Sequence, residues 1–127
     1  MAVDDNPKTV FGNAKPSMFA VPNTALICLG LAMDDGRRKY GLMNWREHPV
    51  SASTYIDAID RHKMAWVDSQ EVADDSGVHH LAHIMACCAI LIDAQLYGTM
   101  KDDRPIPGQS PELIKALTKP LTGDDDV

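Results

Sequence analysis

The chain has 127 residues, 45% hydrophobic and 24% charged, which is typical of one compact globular domain. Its formal net charge is -6 and it has no lysine- or arginine-rich stripe, which argues against DNA or RNA as a partner because clustered positive charge holds nucleic-acid backbones. No apolar run reaches the roughly 20 residues of a membrane span, and no signal peptide is apparent. We therefore expect a cytoplasmic protein with no membrane partner.

The N-terminal part of the chain predicts an irregular segment followed by one helix. Residues 1–21 mix charged residues, prolines and isolated apolar positions. Pro22 and Asn23 form a helix start signal, and a basic cluster stands at the negative end of the predicted helix dipole. The pattern predicts a helix over about 22–38. Residues 40–50 then form an ordered loop, because its two large aromatic side chains need packing.

A second helix is predicted over 53–68. Tyr55, Ile59, His62 and Trp66 recur there at spacings of four, three and four, which defines one helical face. His62 therefore points the same way as three bulky residues.

A third, longer helix is predicted after a polar, acidic loop at 69–75. It begins near Ser76, a plausible cap, and ends at Gly98. Between 81 and 92 it is apolar almost all round, which predicts the central and most buried helix. Two of the three cysteines lie on it as an adjacent pair, so we expect reduced, buried thiols rather than a disulfide framework.

The C-terminal part predicts one short helix over 111–118, with proline at its first position. No alternating strand pattern extends beyond a few residues, so the fold class is all-α, a compact bundle of about four helices. The predicted organisation is an irregular segment at 1–21, a helical domain at 22–119 and a disordered tail at 120–127.

Histidines and carboxylates are concentrated at the start of the third helix. His79, His80 and His83 follow a loop that contains the carboxylates Glu71, Asp74 and Asp75. Groups this dense are costly to assemble unless a divalent metal, an arginine or a proton on a histidine supplies positive charge. Residues three or four apart share a helix face, so either His80 or His79 forms a donor pair with His83.

The second helix carries another pair, Asp57 and Asp60, at three-residue spacing. Two antiparallel helices that each present inward donors make a bundle-type metal site. Carboxylates suit Mg²⁺ and imidazoles suit Mn²⁺, Fe²⁺, Co²⁺ or Zn²⁺, so the ion stays open. Structural roles are alternatives: Asp57 paired with Arg61, Asp74 as a helix cap, or His62 as a hydrogen-bonded core histidine.

Several motifs of other enzymes are absent from the sequence. There is no Gly-x-x-x-x-Gly-Lys phosphate loop, no Gly-x-Gly-x-x-Gly and no Cys-x-x-Cys. Gly-x-Ser-x-Gly is also absent, which argues against a serine hydrolase.

Six short motifs occur in order instead. They are Arg-Lys-Tyr-Gly at 38–41, Asn-Trp-Arg at 44–46, Arg-His at 61–62, Glu-x-x-Asp at 71–74, Ser-Gly before His-Leu-Ala-His at 80–83, and Asp-Asp-Arg-Pro at 102–105. Over roughly residues 15–108 this order resembles the phage and bacterial dATP/dGTP diphosphohydrolase family, often called MazZ-like, which is grouped with the all-α, MazG-like pyrophosphohydrolases.

The resemblance implies a helical dimer or tetramer in the host cytosol. Its reaction would cleave a purine deoxynucleoside triphosphate, dGTP or dATP, between the α and β phosphates with a divalent metal, Mg²⁺ or Mn²⁺, or alternatively Co²⁺ or Zn²⁺. In phages with 2-aminoadenine DNA, the dGMP formed feeds synthesis of that base. The MazG pattern has Glu-x-x-Glu on one helix and Glu-x-x-Asp on the next. In this sequence His80 and His83 have the spacing of the Glu-x-x-Asp motif. Asp57 with Asp60, or alternatively Glu71 with Asp74, has the spacing of the Glu-x-x-Glu motif.

The candidate residues divide into three groups. Guanidinium and ammonium groups suit phosphate oxygens, and an amide with an indole suits a purine. The candidate catalytic residues are Glu71, Asp74 and His83; the metal ligands are Asp57, Asp60, Glu71, Asp74, His80 and His83; the substrate-binding residues are Arg38, Lys39, Asn44, Trp45, Arg61, His62 and Arg104. Alternative functions are a non-catalytic helical module that binds a nucleotide or protein, and a hydrolase of another phosphorylated metabolite.

Overall fold

Helices make up most of the regular structure in this computed structural model, which describes residues 6–121. The fold is all-α, as predicted. In chain order the elements are α1 (Pro7–Asn13), α2 (Asn23–Tyr40), a 3-10 helix (Asn44–Arg46), β1 (Val50–Ser51), α3 (Ala52–Val67), α4 (His80–Tyr97), β2 (Met100–Lys101) and α5 (Ser110–Leu117).

The α4 helix is central, because it packs against both α3 and α2. Ala32 of α2 meets Ala82 and Ala86 of α4 in the buried core. Small side chains at a helix contact let two helices approach closely. This close packing brings the polar residues at the helix ends near one another.

Two very short strands join the ends of the α3–α4 unit. Val50 of β1 pairs with Met100 of β2 in parallel, and Ser51 pairs with Lys101. Next to them, Asp103 accepts hydrogen bonds from the backbone N–H and the hydroxyl of Ser53, at the start of α3. The sequence did not predict these strands, since two residues are too few to show an alternating pattern.

The N-terminal segment departs from the prediction of irregular structure. Pro7–Asn13 form α1, with proline at the first position and the Asn6 side chain accepting from the Lys8 N–H at 2.9 Å. None of the residues of α1 is buried, so no apolar periodicity marked it. The tail predicted to be disordered at 120–127 lies largely outside the described residues.

The predicted start of α4 near Ser76 was wrong. The helix begins at His80, and His79 is its N-cap, with Nδ1 accepting from the Leu81 N–H at 3.0 Å. Gly77 has φ of 70°, which helical geometry excludes, and a bridge between Val72 and His79 holds the preceding turn in place. The turn therefore stays outside the helix and folds back over its first residues.

Large apolar side chains remain widely exposed on the helices. Within residues 6–121 the buried apolar set consists mainly of alanines, with Trp45 and Cys87; the neighbouring Cys88 is exposed, contrary to prediction. By length and mean hydropathy (1.4) alone, α4 could cross a membrane, but the core helix of a globular fold meets the same criteria. Here it packs between two helices and carries the buried His80.

Candidate functional site

A cavity of about 580 Å³ opens between α2 and its following loop, α3 and α4. This volume lies in the range of small-molecule sites. One group of lining residues is charged or imidazole-bearing: Asp34, Asp35, Arg37, Lys39, His62, Asp75 and His83. A second group is aromatic or amide-bearing: Tyr40, Asn44, Trp45 and Tyr55.

Two carboxylates converge on one positive group in the polar part. The Lys39 Nζ lies 3.0 Å from Asp35 Oδ2 and 3.5 Å from Asp75 Oδ2. The hydrogen bond to Asp35 raises the pKa of Lys39. The backbone N–H of Ser76 and the charge of Lys39 lower the pKa of Asp75. Asp75 therefore stays ionised beside a cation.

Three histidines from two helices meet at the same end. His62 Nδ1 of α3 lies 2.8 Å from His80 Nδ1 of α4, and the His62 ring stacks on His83 with centroids 4.6 Å apart and planes 10° from parallel. His80 is 5% exposed, and its Nε2 lies 2.7 Å from Gln70 Oε1. His83 Nε2 lies 2.7 Å from Ser76 Oγ. The structure thus joins the predicted residues His62, His80 and His83.

The electrostatics favour neutral imidazoles on the cavity wall. Burial lowers the pKa of His62, and the neighbouring His83 and His80 lower it further. Burial also lowers the pKa of His83, although Asp35 and Asp75 oppose this effect. Neutral imidazoles accept protons or hydrogen bonds, so these side chains suit base chemistry better than anion binding.

Glu71 and Asp74 are exposed and do not line the cavity. Glu71 Oε2 accepts from Trp66 Nε1 at 3.2 Å and lies 3.2 Å from His79 Nε2. Asp74 Oδ1 accepts from Gln70 Nε2 at 3.2 Å, which links this acid to His80 through the amide. Both acids hold the turn before α4 rather than face a ligand directly.

The structure does not bring Asp57 and Asp60 to the histidines. Both are exposed on α3 and neither lines the cavity; Arg61 is exposed too. Positions two and five residues from His62 point away from its helical face. Throughout residues 6–121, no three or more histidine, cysteine, aspartate and glutamate side chains are grouped to hold a metal ion.

The predicted substrate-binding residues fall into two sets. Lys39, Asn44, Trp45 and His62 line the cavity. Arg38 pairs instead with Asp34 on α2. Arg104 forms a bidentate ion pair with Asp102, in which Nε and Nη2 lie 2.8 and 2.7 Å from the carboxylate oxygens. This pair lines a separate recess.

Trp45 sits at the far end of the cavity from His83. It is 6% exposed, and its Nε1 donates to Asp93 Oδ2 at 2.7 Å. Ten helical residues separate His83 from Asp93, or about 15 Å along α4. The cavity therefore has a polar end near His83 and an aromatic end near Trp45.

Four residues of this site were not assigned to it from the sequence, although Asp75 had been named in the acidic loop and Ser76 as a candidate helix cap. Asp35 and Asp75 face Lys39, and Gln70 and Ser76 bond the histidines. Only Asp35 had a local signal, because it stands four residues before Lys39 on one helix face. The other three act through the folded turn before α4, which no periodicity reveals.

Comparison with known proteins identifies the family. The family model described as "dATP/dGTP diphosphohydrolase, N-terminal" matches residues 5–104, which include every residue of the cavity wall. No curated protein and no solved structure matches this chain. The match confirms the resemblance that the six motifs indicated. The chain belongs to the dATP/dGTP diphosphohydrolase family, and the matching family model describes the N-terminal domain of that family.

Proposed function

We propose that this protein hydrolyses a purine deoxynucleoside triphosphate, dGTP or dATP, to the monophosphate and pyrophosphate within the cavity. The observation that carries the proposal is the polar end, where two carboxylates converge on one cation beside two neutral imidazoles. Family membership supports the substrate class and hydrolysis as the type of reaction.

The two ends of the cavity suit the two ends of a nucleotide. The triphosphate lies at the polar end, where Lys39 pairs with phosphate oxygens. The base lies toward Tyr40 and Trp45, whose rings stack with purines, and the Asn44 amide offers a donor and an acceptor to base edges.

Asp35 and Asp75 carry two negative charges against the single positive charge of Lys39, so they would repel a triphosphate unless a further cation were bound. Mg²⁺ is usually held by one or two carboxylates together with substrate phosphates, whereas a dedicated protein cage needs more donors. The two converging acids fit the first arrangement, and the described residues contain no group suited to the second. Asp35 and Asp75 would hold Mg²⁺ or Mn²⁺, which neutralises phosphate charge and lowers the pKa of a nearby water.

The cellular setting of this proposal is the cytosol, where free deoxynucleotides are found. Hydrolysis of dGTP there would supply dGMP for synthesis of 2-aminoadenine in phage DNA, and hydrolysis of dATP would limit incorporation of adenine. Assembly as a homo-oligomer belongs to the same proposal, and the exposed apolar side chains of α2 and α4 support it. No DNA, RNA or membrane partner is required.

Product analysis in H₂¹⁸O tests the reaction. The protein is incubated with each of the four dNTPs and with Mg²⁺, Mn²⁺, Co²⁺ or Zn²⁺. We expect dGMP or dAMP plus pyrophosphate, with the ¹⁸O in the monophosphate because water attacks the α-phosphorus. Release of orthophosphate, or of intact triphosphate, would exclude this reaction.

A non-catalytic nucleotide-binding module is the second candidate. The lack of a three-donor metal group among residues 6–121 favours it. Binding of dGTP by calorimetry without turnover under any of the four metals would establish that function instead. If the protein hydrolyses a different phosphorylated metabolite but no dNTP, the cavity is still the active site and the substrate is that metabolite.

A further inference from the structure

We propose that a hydrogen-bonded chain from Asp74 through Gln70 and His80 holds His62 as its Nδ1–H tautomer, so that the bare Nε2 faces the cavity as the base for the attacking water. This inference rests on the proposed hydrolysis. It assigns His62 as the catalytic residue and Asp74, Gln70 and His80 as positioning residues.

The hydrogen-bonded chain starts at the Asp74 carboxylate, which can only accept hydrogen bonds. The Asp74 carboxylate lies 3.2 Å from Gln70 Nε2, so the NH₂ end of the amide faces the acid. The reversed amide would set an oxygen against a carboxylate oxygen with no hydrogen between them. Gln70 Oε1 therefore faces His80 and acts as an acceptor.

The acceptor at Gln70 determines the tautomer of His80. The Nε2 atom of His80 lies 2.7 Å from Gln70 Oε1 and must carry the hydrogen, because an amide oxygen only accepts. A neutral imidazole has one N–H, so His80 Nδ1 is then bare. The 2.8 Å approach of His62 Nδ1 to His80 Nδ1 also leaves room for only one hydrogen between these two atoms.

The tautomer of His80 in turn determines the tautomer of His62. The 2.8 Å contact between the two Nδ1 atoms needs one donor and one acceptor, and with His80 accepting, His62 donates. Neutral His62 then has a lone pair on Nε2, and no hydrogen-bond partner for that atom is found within residues 6–121. The Nδ1 edge of the ring is taken up by His80, and His62 itself lines the cavity.

Two further contacts favour His62 over its neighbour as the base. The stacked His83 ring fixes the plane of His62. His83 Nε2 is itself engaged with Ser76 Oγ at 2.7 Å, and this hydroxyl also accepts from the Val78 N–H at 3.1 Å. Among residues 6–121, His83 Nε2 thus has a hydrogen-bond partner and His62 Nε2 has none.

The proposed step transfers one water proton to His62 and replaces one phosphorus–oxygen bond with another. A water proton moves to His62 Nε2 while the water oxygen forms a bond to the α-phosphorus. The bond from that phosphorus to the α–β bridging oxygen breaks, and its electron pair leaves with pyrophosphate. The His62 imidazolium, which keeps the Nδ1 hydrogen bond to His80, then returns its proton to solvent.

Long-range ¹H–¹⁵N NMR of the histidine rings at pH 8 reads the tautomers independently of activity. We expect His62 protonated at Nδ1 and His80 at Nε2. Gln70→Met removes the acceptor and should mix the tautomers and lower kcat roughly tenfold at unchanged KM. Gln70→Glu combined with Asp74→Asn keeps the acceptor at His80 and only reverses the donor and acceptor between positions 70 and 74, so it should restore both readouts. A dominant Nε2–H form of His62 in the unaltered protein overturns the inference.

Activity of His62→Gln separates this inference from the proposed function. We expect kcat to fall at least about 100-fold, the usual contribution of a general base, while helical circular dichroism is kept. If the unaltered protein releases pyrophosphate and His62→Gln is equally active, the base is elsewhere and the function stands. If the unaltered protein turns over no dNTP, the proposed function fails and the base role fails with it.

Discussion

The Trp45 indole donates to Asp93 Oδ2 at 2.7 Å, and the same carboxylate binds Arg46 through both oxygens, at 2.8 and 2.9 Å. Three neighbouring donors thus tie the 3-10 helix to α4. The contact positions Trp45 on the aromatic wall of the cavity. The geometry of this wall therefore depends on a charge pair that is itself outside the cavity lining.

Replacing Asp93 by asparagine should loosen this wall. The amide removes the charge that Arg46 requires and offers one acceptor oxygen in place of two. We expect a lower Tm, red-shifted tryptophan fluorescence and a higher KM for dGTP. Asp102→Asn is the matched control, because Asp102 also pairs with an arginine but, in the described part of the chain, accepts no hydrogen bond from a residue of the cavity wall. Equal effects of the two variants would contradict the role given to Asp93.

The same contact predicts how the wall responds to acid. Arg46 and Trp45 lower the pKa of Asp93 from 3.8 to about 2. A lowered carboxyl pKa gives stability that is fully present above the ordinary value and is lost as pH falls through the folded value. Tryptophan fluorescence should therefore stay native-like down to about pH 4 and shift between about pH 4 and 2. In Asp93→Asn, this part of the transition should be missing.

The helical bundle was predictable because its apolar positions repeat with a helical period. The spacing of Tyr55, Ile59, His62 and Trp66 placed His62 on the inner face of α3, where it meets His80 and His83. The family was predictable as well, since motif order needs no structure.

Of the two carboxylates at the site, Asp75 was not predictable from spacing. Asp57 and Asp60 have the right separation, but they lie on the solvent side of α3. Asp75 reaches the cavity only because the turn before α4 folds back, which depends on the left-handed conformation of Gly77 and the bridge from Val72 to His79. Such non-helical turns leave no periodic signal in the sequence.

The carboxylate pair at Lys39 should determine the metal requirement. Asp35→Asn and Asp75→Asn each remove one oxygen ligand, so the Mg²⁺ concentration for half-maximal activity should rise roughly tenfold or more. The double variant Asp57→Asn, Asp60→Asn is the control and should titrate like the unaltered protein, because both residues are exposed away from the cavity. If only the control loses its metal response, the ligands are those that sequence spacing first predicted.

The half-buried histidines His62 and His83 should make stability depend on pH. The pKa values of His62 and His83 are lowered from 6.5, so the folded state binds fewer protons than the unfolded state just below that pH. The free energy of unfolding should be highest above about pH 6.5 and fall as pH drops below it. Urea unfolding at pH 8, 7, 6 and 5 measures this slope. Replacing both residues by glutamine should flatten it, and a stability that rises on acidification would contradict the lowered pKa values.

The exposed apolar side chains should control assembly. Leu31 on α2 and Ile92 on α4 are 54% and 59% exposed, and neither lines the cavity. Large contiguous patches of exposed apolar side chains usually mark a surface that contacts another protein chain. We expect light scattering to give a multiple of the 13.9 kDa chain mass. The Leu31→Glu, Ile92→Glu double variant should shift it toward the monomer, because burying two new charges in a contact is costly. Lys63→Glu, on an exposed polar position of α3, is the control and should leave the mass unchanged. A monomeric unaltered protein would show that these side chains face solvent in the working enzyme.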